Sequence, residues 1–407
     1  MPNLIYLIIF LLPAYLIQFN FFGKGTINLL DILLLFFLIF FGYYLFENKR
    51  RQLFKKFLGK NGKLLIPLFI ILIGFLFSYL NNLTATNWQD GLGILKSFLL
   101  LPIFFALAVS FLIQRKKISY IKILKSYFLS SVIIASGSLL YFLLGLTTYD
   151  HRVSLFFDSP NSLAMYLVPG FLIGSWFLKK TGSKSVSTKK LFLIASLLFL
   201  ATAIILTQSL GGWIGLGGAF IFLFWPENIK PLREKISYPL IMALSFLTLI
   251  FIFTSHTIIS KTGYSPFISP SSFDSRLVIY QVGAKITVDH WLQGIGPGNF
   301  QKVYLDYQQY FLPYPQWAVP HPHNLFLTFW LEAGLLGFIG FWLLFWNLRV
   351  NFREHKTSFE TLIMSIMIYF LLHGLVDTPF WKNDLAVIFW LIIILNFTIS
   401  QGKKQVA

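Results

Sequence analysis

The chain has 407 residues, of which 56% are hydrophobic and only 12% are charged. Soluble proteins contain about 25% charged residues, so the composition excludes a water-soluble protein of this length, and the apolar content excludes a disordered one. The sequence contains no cysteine, which excludes disulfides, thiolate metal sites and a cysteine nucleophile. These figures predict an integral membrane protein.

Twelve apolar segments have roughly the length of about 20 residues that a helix needs to cross a bilayer. They lie near residues 4–21, 27–45, 64–80, 92–113, 127–146, 161–178, 191–208, 212–225, 238–257, 325–347, 361–375 and 385–400. Only Gln208–Gly211 separates the seventh segment from the eighth. The sequence therefore predicts an all-α integral membrane protein with about 12 transmembrane helices, in a single polytopic domain that covers residues 1–407.

The distribution of basic residues explains the net charge of +18. Alternate loops and the C-terminal tail hold 25 of the 33 Lys and Arg residues, and the loops between them hold seven. Since cytoplasmic loops are the ones enriched in Lys and Arg, both termini are predicted to be cytoplasmic. The basic loops then face the anionic inner leaflet, and no nucleic-acid partner is predicted.

Polar chemistry is predicted on the outer face. Eight of the 15 acidic residues lie in predicted outer loops, and only Asp31 and Glu332 fall inside predicted spans. One outer loop, residues 258–324, is long enough to be functional. It contains a predicted helix from Arg276 to about Asp289. After a glycine-rich break, a second helix has an aromatic face that is expected to pack against the bundle. That face comprises Phe300, Val303, Tyr304, Tyr307 and Tyr310.

His323 stands at the predicted outer mouth of the tenth span. If one helix runs from this histidine onward, a rotation of about 100° per residue puts Gly334 and Gly337 on the same face. Glycines on a helix face let a neighbouring helix or a lipid chain approach closely. The same rotation points Glu332 away from the histidine.

These residues form a recognisable pattern. His323 and Asn324 are followed after nine residues by Gly334, and after two more by Gly337. This spacing resembles the signature of the bacterial O-antigen ligase and polymerase family. The resemblance extends over residues 152–399, and its other parts are residues 152–161, 276–300 and 373–380. Twelve spans with a large outer loop before the histidine also resemble the family.

The resemblance implies transfer of a glycan from an undecaprenyl-diphosphate carrier to an acceptor hydroxyl. The acceptor is a glycan, a lipid or another hydroxyl compound. The reaction is implied at the outer face of the bacterial cytoplasmic (inner) membrane, in a multi-pass protein that needs no metal and no cofactor.

The residue types agree with this chemistry. Arg152 and Arg276 are the only arginines in predicted outer loops. Guanidinium groups donate bidentate, permanently charged hydrogen bonds to a diphosphate, and stabilising the charge that develops on a leaving group is usually the largest catalytic term. Histidine titrates near working pH, so His323 is the predicted catalytic base.

Further residues are predicted around this site. Asn324, Lys96, His321 and Asp377 are predicted to contact substrate, as Arg152 and Arg276 also do. His373 is expected to orient or pack, and Asp31 to join Lys96 at the polar mouth. Gly334 and Gly337 are the structural part of the motif. No metal site is predicted, because His321 and His323 are too close to share a helical face.

Three classes of function remain open. The first is a lipid-linked glycan transferase, either a ligase or a repeat-unit polymerase with the same site. The second is a polytopic transporter or flippase, which predicts internal repeats and charges at mid-membrane. The third is a non-catalytic scaffold in envelope assembly, in which the charged outer residues are dispensable.

Overall fold

A computed structural model describes residues 1–20, 26–83, 88–181, 187–225, 272–311, 319–355 and 357–403. The described residues are mainly helical. The helices are α1 (Pro2–Phe10), α2 (Leu29–Tyr44), α3 (Asn48–Lys60), α4 (Gly62–Asn81), α5 (Trp88–Ile94), α6 (Leu101–Gln114), α7 (Tyr120–Leu143), α8 (Pro160–Lys180), α9 (Thr188–Leu206), α10 (Leu210–Phe224), α11 (Ser272–Asp289), α12 (Phe300–Gln308), α13 (Leu325–His355), α14 (Ser358–His373) and α15 (Asn383–Lys403). A short antiparallel hairpin pairs β1 (Gln18–Asn20) with β2 (Thr26–Asn28).

Within the described residues, six helices are long and apolar enough to cross a membrane. They are Gly62–Asn81, Gln89–Gln114, Tyr120–Leu143, Pro160–Lys180, Thr188–Leu206 and Leu325–Glu354. Three shorter apolar helices accompany them: Leu210–Phe224, Ser358–His373 and Asn383–Thr398. The chain is thus an all-α multi-pass membrane protein, as predicted. The number of twelve spans is not confirmed, and the ninth predicted span, 238–257, lies outside the described residues.

The N-terminal region differs from the prediction. The first predicted span divides into α1, a 3-10 turn at Leu12–Leu16 and β1, because Pro13 lacks the N–H that would continue α1. The predicted cytoplasmic loop 47–63 is largely helix α3, which lies at 114° to α2. Six Lys and Arg residues in α3 make its entry into hydrocarbon costly, so the chain turns where they begin.

The predicted outer loop is described only in part, over residues 272–311 and 319–324. Its first predicted helix is confirmed as α11, which begins four residues earlier than expected. The aromatic face of α12 packs on the protein: Phe300 and Tyr304 are fully buried against α11 and α13. Tyr310 lies beyond the helix and is exposed.

Glycines bring α4 and α13 into backbone contact. A Cβ on Gly74 would lie 2.7 Å from the Cα of Gly337, and a Cβ on Gly340 would lie 2.9 Å from the backbone nitrogen of Ile71. Side chains at these positions would push the helices apart. A Cβ on Gly337 would instead meet Ala333 of the same helix, so Gly74 and Gly340 permit this contact, and the role predicted for Gly337 stays a prediction.

Gly334 interrupts α13, a break that was not predicted from the sequence. Its φ of 63° and ψ of −169° break α13 into two helical pieces. The freed backbone groups bond to the loop after α11: Ile295 N–H donates to Leu331 O at 2.7 Å, and Leu335 N–H donates to Leu292 O at 3.1 Å. The assumption of one continuous helix face from the histidine to both glycines was wrong, because glycine tolerates a positive φ and the loop satisfies the broken ladder.

Candidate active site

Most of the predicted site residues meet at one end of the helix bundle, which we call the site end. It is formed by the loops between α7 and α8, between α9 and α10, before α13, and between α14 and α15. Hydrogen bonds join all four loops, through Arg152 to Thr207 and through Asn161 and His323 to Asp377. The residues therefore converge from distant parts of the chain.

Asp377 is the centre of this cluster. Its Oδ1 lies 3.3 Å from Nδ1 of His323 and 3.4 Å from Nε2 of His321. The carboxylate is 5% exposed, whereas the side chain of His323 is 25% exposed. When Nδ1–H of His323 donates to the carboxylate, Nε2 is left without a proton and can accept one. This geometry is the arrangement that a general base needs.

Charge in the cluster favours an ionised Asp377. Burial alone would raise the pKa of this carboxyl, but the charge of His323 and the hydrogen bonds from both histidines hold it well below its usual range. Burial lowers the pKa of His321 to about 4, so its imidazole is neutral at physiological pH. The carboxylate can therefore stabilise a positive charge that forms on His323 during reaction.

Arg152 is connected to the same carboxylate by hydrogen bonds through Asn161. Its Nη2 donates to Oδ1 of Asn161 at 3.0 Å, and Nδ2 of Asn161 donates to Oδ2 of Asp377 at 3.1 Å. Its Nε donates to the carbonyl of Thr207 at 2.7 Å, and Asp150 pairs with Nη1 at 3.6 Å. The guanidinium is thus held in one orientation and is linked through Asn161 to the acid that contacts His323.

Arg276 reaches the cluster from α11. Its Nε donates to the carbonyl of Val376 at 3.0 Å. One turn later on the same helix, Tyr280 Oη donates to the carbonyl of His323 at 3.0 Å. The helix therefore brings the second predicted arginine next to the loop that carries Asp377, and it also holds the backbone of His323.

Two other predicted substrate contacts, Asn324 and Lys96, have partners within the protein. Asn324 is fully buried; its Oδ1 accepts from the N–H groups of Phe326 and Leu327, and its Nδ2 donates to the carbonyl of Leu375. It caps α13, so its carbonyl oxygen is fully engaged within the protein and one of its two N–H donors is in use. Lys96 does not join the cluster around Asp377. It pairs at 2.9 Å with Asp31.

His373 packs inside the bundle, as expected. It is fully buried, and its Nδ1 lies 2.8 Å from Tyr369 Oη. The sequence argument also missed two contributors to the site, Asn161 and Tyr280. Asn161 stands at the start of a predicted span within a segment that resembles the family. Its position at the outer mouth of a helix is the signal that could have identified it.

The cluster contains a set of donors that fits a metal ion. One ligand atom from each of His321, His323 and Asp377 lies within 4.8 Å of the others. The helical-face argument against such a set was wrong, because both histidines precede α13 and face an acid from another loop. Imidazole and carboxylate suit zinc and related metals.

An apolar groove begins beside Arg152. The groove has a volume of about 550 Å³ and lies between α8, α9 and α10. Ile204 and Ile205, at the end of α9, line the groove. The carbonyl of Thr207, two residues after Ile205, accepts a hydrogen bond from Arg152. The remaining lining residues are Phe171, Ala201, Trp213, Leu216, Gly217, Phe220 and Ile221. The apolar lining thus ends two residues before the carbonyl that holds Arg152.

Comparison with known proteins agrees with the predicted family. No curated protein matches the chain. A family model described as O-antigen ligase matches residues 195–342, a stretch that includes His323, Gly334 and Gly337. Residues 195–342 are therefore similar to the O-antigen ligase family, which performs glycosyl transfer at the membrane.

Proposed function

We propose that this protein transfers a glycan from an undecaprenyl-diphosphate carrier to an acceptor hydroxyl, at the outer face of the bacterial cytoplasmic membrane. One observation carries the proposal: the pair formed by His323 and Asp377 is connected to Arg152 through Asn161 and lies beside Arg276. A base and two permanent cations in one place are what this transfer requires.

In the proposed reaction, the oxygen of the acceptor hydroxyl attacks the anomeric carbon of the donor while Nε2 of His323 removes the proton of that hydroxyl. The new glycosidic bond forms while the bond between that carbon and the diphosphate oxygen breaks. The electron pair leaves with the diphosphate. Asp377 stabilises the imidazolium, as an acid does for the histidine of a hydrolase triad.

The arginines act on the leaving group. As the bond breaks, negative charge grows on the diphosphate, and Arg152 and Arg276 neutralise it. Because hydrogen bonds to backbone carbonyls hold Nε of both guanidiniums, little reorganisation is needed as the charge develops. The positive-inside distribution of basic residues supports an outward orientation for the site end.

The apolar groove is the proposed location of the polyprenyl chain. A diphosphate at Arg152 would place the attached hydrocarbon against Ile204 and Ile205, where the groove begins. Hydrocarbon burial contributes about 0.8 kcal/mol per methylene. The groove therefore supplies affinity for the lipid part of the donor, and the arginines supply the orientation of its head.

Gly217→Phe is expected to raise the KM for the lipid-linked donor about tenfold, the equivalent of about two buried methylenes. The added ring would fill the groove, since nothing lies within 4 Å of a Cβ at this glycine. Transfer kinetics with purified protein measure the effect. The matched control is Gly42→Phe, at an exposed helical glycine with equally open space. An unchanged KM in Gly217→Phe would place the chain elsewhere.

Chelation is expected to leave the transfer rate unchanged, because two arginines already neutralise the leaving group. The measurement compares the rate before and after dialysis against EDTA, with metal content determined by mass spectrometry. A rate that falls with the metal content and returns on addition of zinc would assign the donor set of His321, His323 and Asp377 to a catalytic metal instead.

The proposed function is tested with an envelope-glycan gel from a strain that lacks the protein. Long glycan chains that remain on the carrier identify a ligase, whereas single repeat units on the acceptor identify a polymerase with the same site. Complementation with Arg152→Ala is expected to fail at normal protein level. Full complementation by this variant, and by Arg276→Ala, would reject the transferase in favour of a scaffold or a transporter.

A further inference from the structure

A second cavity, of about 840 Å³, lies where α2, α5 and α15 begin. It is distinct from the cluster around Asp377, and none of the residues that line it belongs to that cluster. Its polar lining residues are Gln18, Asn28, Asp31, Gln89, Asp90, Lys96, Ser97 and Asn383. The cavity is therefore large enough for one or two sugar rings and is lined by groups that bond to hydroxyls.

The polar wall is rigid. Asp31 is 1% exposed and accepts from Lys96 Nζ at 2.9 Å, from Ser97 Oγ at 2.6 Å and from Asn383 Nδ2 at 3.3 Å. Lys96 keeps 36% of its side chain exposed. The segment Leu95–Leu100, which carries the lysine and the serine, is a π-helical turn, a distortion found frequently at functional sites.

The rim of the cavity is apolar and faces outward from the bundle. Leu76, Leu92 and Leu100 line it and are each at least 40% exposed. They belong to helices that are long and apolar enough to cross a membrane, so their exposed faces contact lipid. A ligand that fits both surfaces has a polar head and a hydrocarbon anchor.

The charge of the cavity selects among such ligands. Among the described lining residues, Lys96 and Asp31 neutralise each other, and Asp90 adds one further negative charge. A phosphate or diphosphate head would be repelled by Asp90. The neutral amides and the serine hydroxyl instead suit the hydroxyl groups of an uncharged sugar.

The cavity adjoins the candidate active site through the loop before α15. Asn383 bonds to Asp31 at one end of the loop, six residues after Asp377. Between them, the ring of Trp381 packs on Phe98 with centroids 5.2 Å apart. The cavity is therefore one short loop away from His323, so a headgroup held there would anchor the acceptor, and the reacting hydroxyl belongs to a part of the acceptor beyond that headgroup.

We propose that this cavity binds the uncharged sugar headgroup of a lipid-anchored acceptor, and that it holds the acceptor while the donor occupies the arginine site. The inference rests on the proposed transfer for its role as an acceptor site. The binding itself rests on the cavity alone, and it can be measured without any transfer.

The test measures binding of octyl β-glucoside, an uncharged sugar on a short alkyl chain, by saturation-transfer NMR on the sugar protons. The protein is held in phospholipid nanodiscs and titrated below the micelle concentration of the probe. Gly93 lines the cavity and has nothing within 4 Å of a Cβ, so Gly93→Phe fills the space without a clash. Gly42→Phe is the control, and Gly93→Leu is a smaller second variant in case the Phe variant does not fold.

We expect saturable binding to the wild type and to Gly42→Phe, and a dissociation constant at least tenfold higher in Gly93→Phe. Gly93→Leu should lie between them, and octyl phosphate should not compete. Equal binding in all variants, or competition by octyl phosphate as strong as by the glucoside, would overturn the proposal; the second result would identify a phospholipid site. If binding behaves as expected but no glycan is transferred, the proposed function fails and the cavity assignment stands.

Discussion

His323→Ala is expected to lower kcat for glycan transfer about 10²–10⁴-fold, the usual cost of losing a general base. The donor and acceptor KM values should change little, because the arginines and the apolar groove remain. The reason is geometric: Asp377 engages Nδ1 of this histidine at 3.3 Å, which leaves Nε2 for the acceptor proton. Single-turnover kinetics with purified donor and acceptor measure the chemical step directly.

Two other histidines provide the controls. His290 lies near Tyr307, at 3.4 Å, and outside the cluster, so His290→Ala should retain nearly the wild-type rate. His321 bonds to the same carboxylate from a more buried position, and its loss should cost less than the loss of His323. The opposite order of effects, with His323→Ala active and His321→Ala inactive, would transfer the role of base to His321.

Asp377→Asn is expected to reduce kcat by about 10²–10⁴-fold, the range set by loss of the base. Removing the acid of a hydrolase triad in the same way costs about 10⁴-fold. The amide keeps the volume of the acid, but it carries no charge to stabilise an imidazolium, and with its NH₂ group towards His323 it would favour the wrong tautomer. In the other orientation the amide oxygen faces His323, but a second conflict arises. The new NH₂ group would then face Nδ2 of Asn161, which now donates to Oδ2.

The double variant separates catalysis from packing. Because Asp377 is proposed to act through His323, adding Asp377→Asn to His323→Ala should cause little further loss, as for residues that act as a unit. Asp289→Asn is the control, since that acid lies outside the cluster around Asp377 and interacts with Lys285 and Tyr307 instead. Losses that multiply in the double variant would show that the acid supports the fold instead of the base.

Local sequence features predicted much of the fold. The helix at α11 and the separate helices α9 and α10 follow from apolar runs and caps, which are short-range properties. The bend after α2 was missed because a run of basic residues predicts a loop and a helix equally well. Pro13 was visible in the sequence, but its effect on the first span depends on how the chain returns through β1.

The site was predictable only as a set of candidates. His323, Arg152 and Arg276 were chosen by residue type and by the family pattern. The hydrogen bond from Asn161 to Asp377 joins residues 216 positions apart. A contact over such a distance in the sequence leaves no periodic pattern from which it could be predicted. The capping role of Asn324 was not predicted, because an asparagine that caps a helix and one that binds substrate look the same in the sequence. The positive φ of Gly334 was missed because a 100° rotation assumes that the helix continues.

The break at Gly334 gives the spacing of the motif a mechanical meaning. Nine residues, 325–333, form the first piece of α13, which measures about 14 Å along its axis, roughly half of a hydrocarbon core of about 30 Å. The length of this segment sets the distance between two fixed points. At one end Asn324 caps the helix next to His323, and at the other end the loop after α11 bonds to Leu331 and Leu335. One inserted residue would turn the glycine by about 100° away from that loop. The residue types between Asn324 and Gly334 can therefore vary, whereas the number of residues between them cannot.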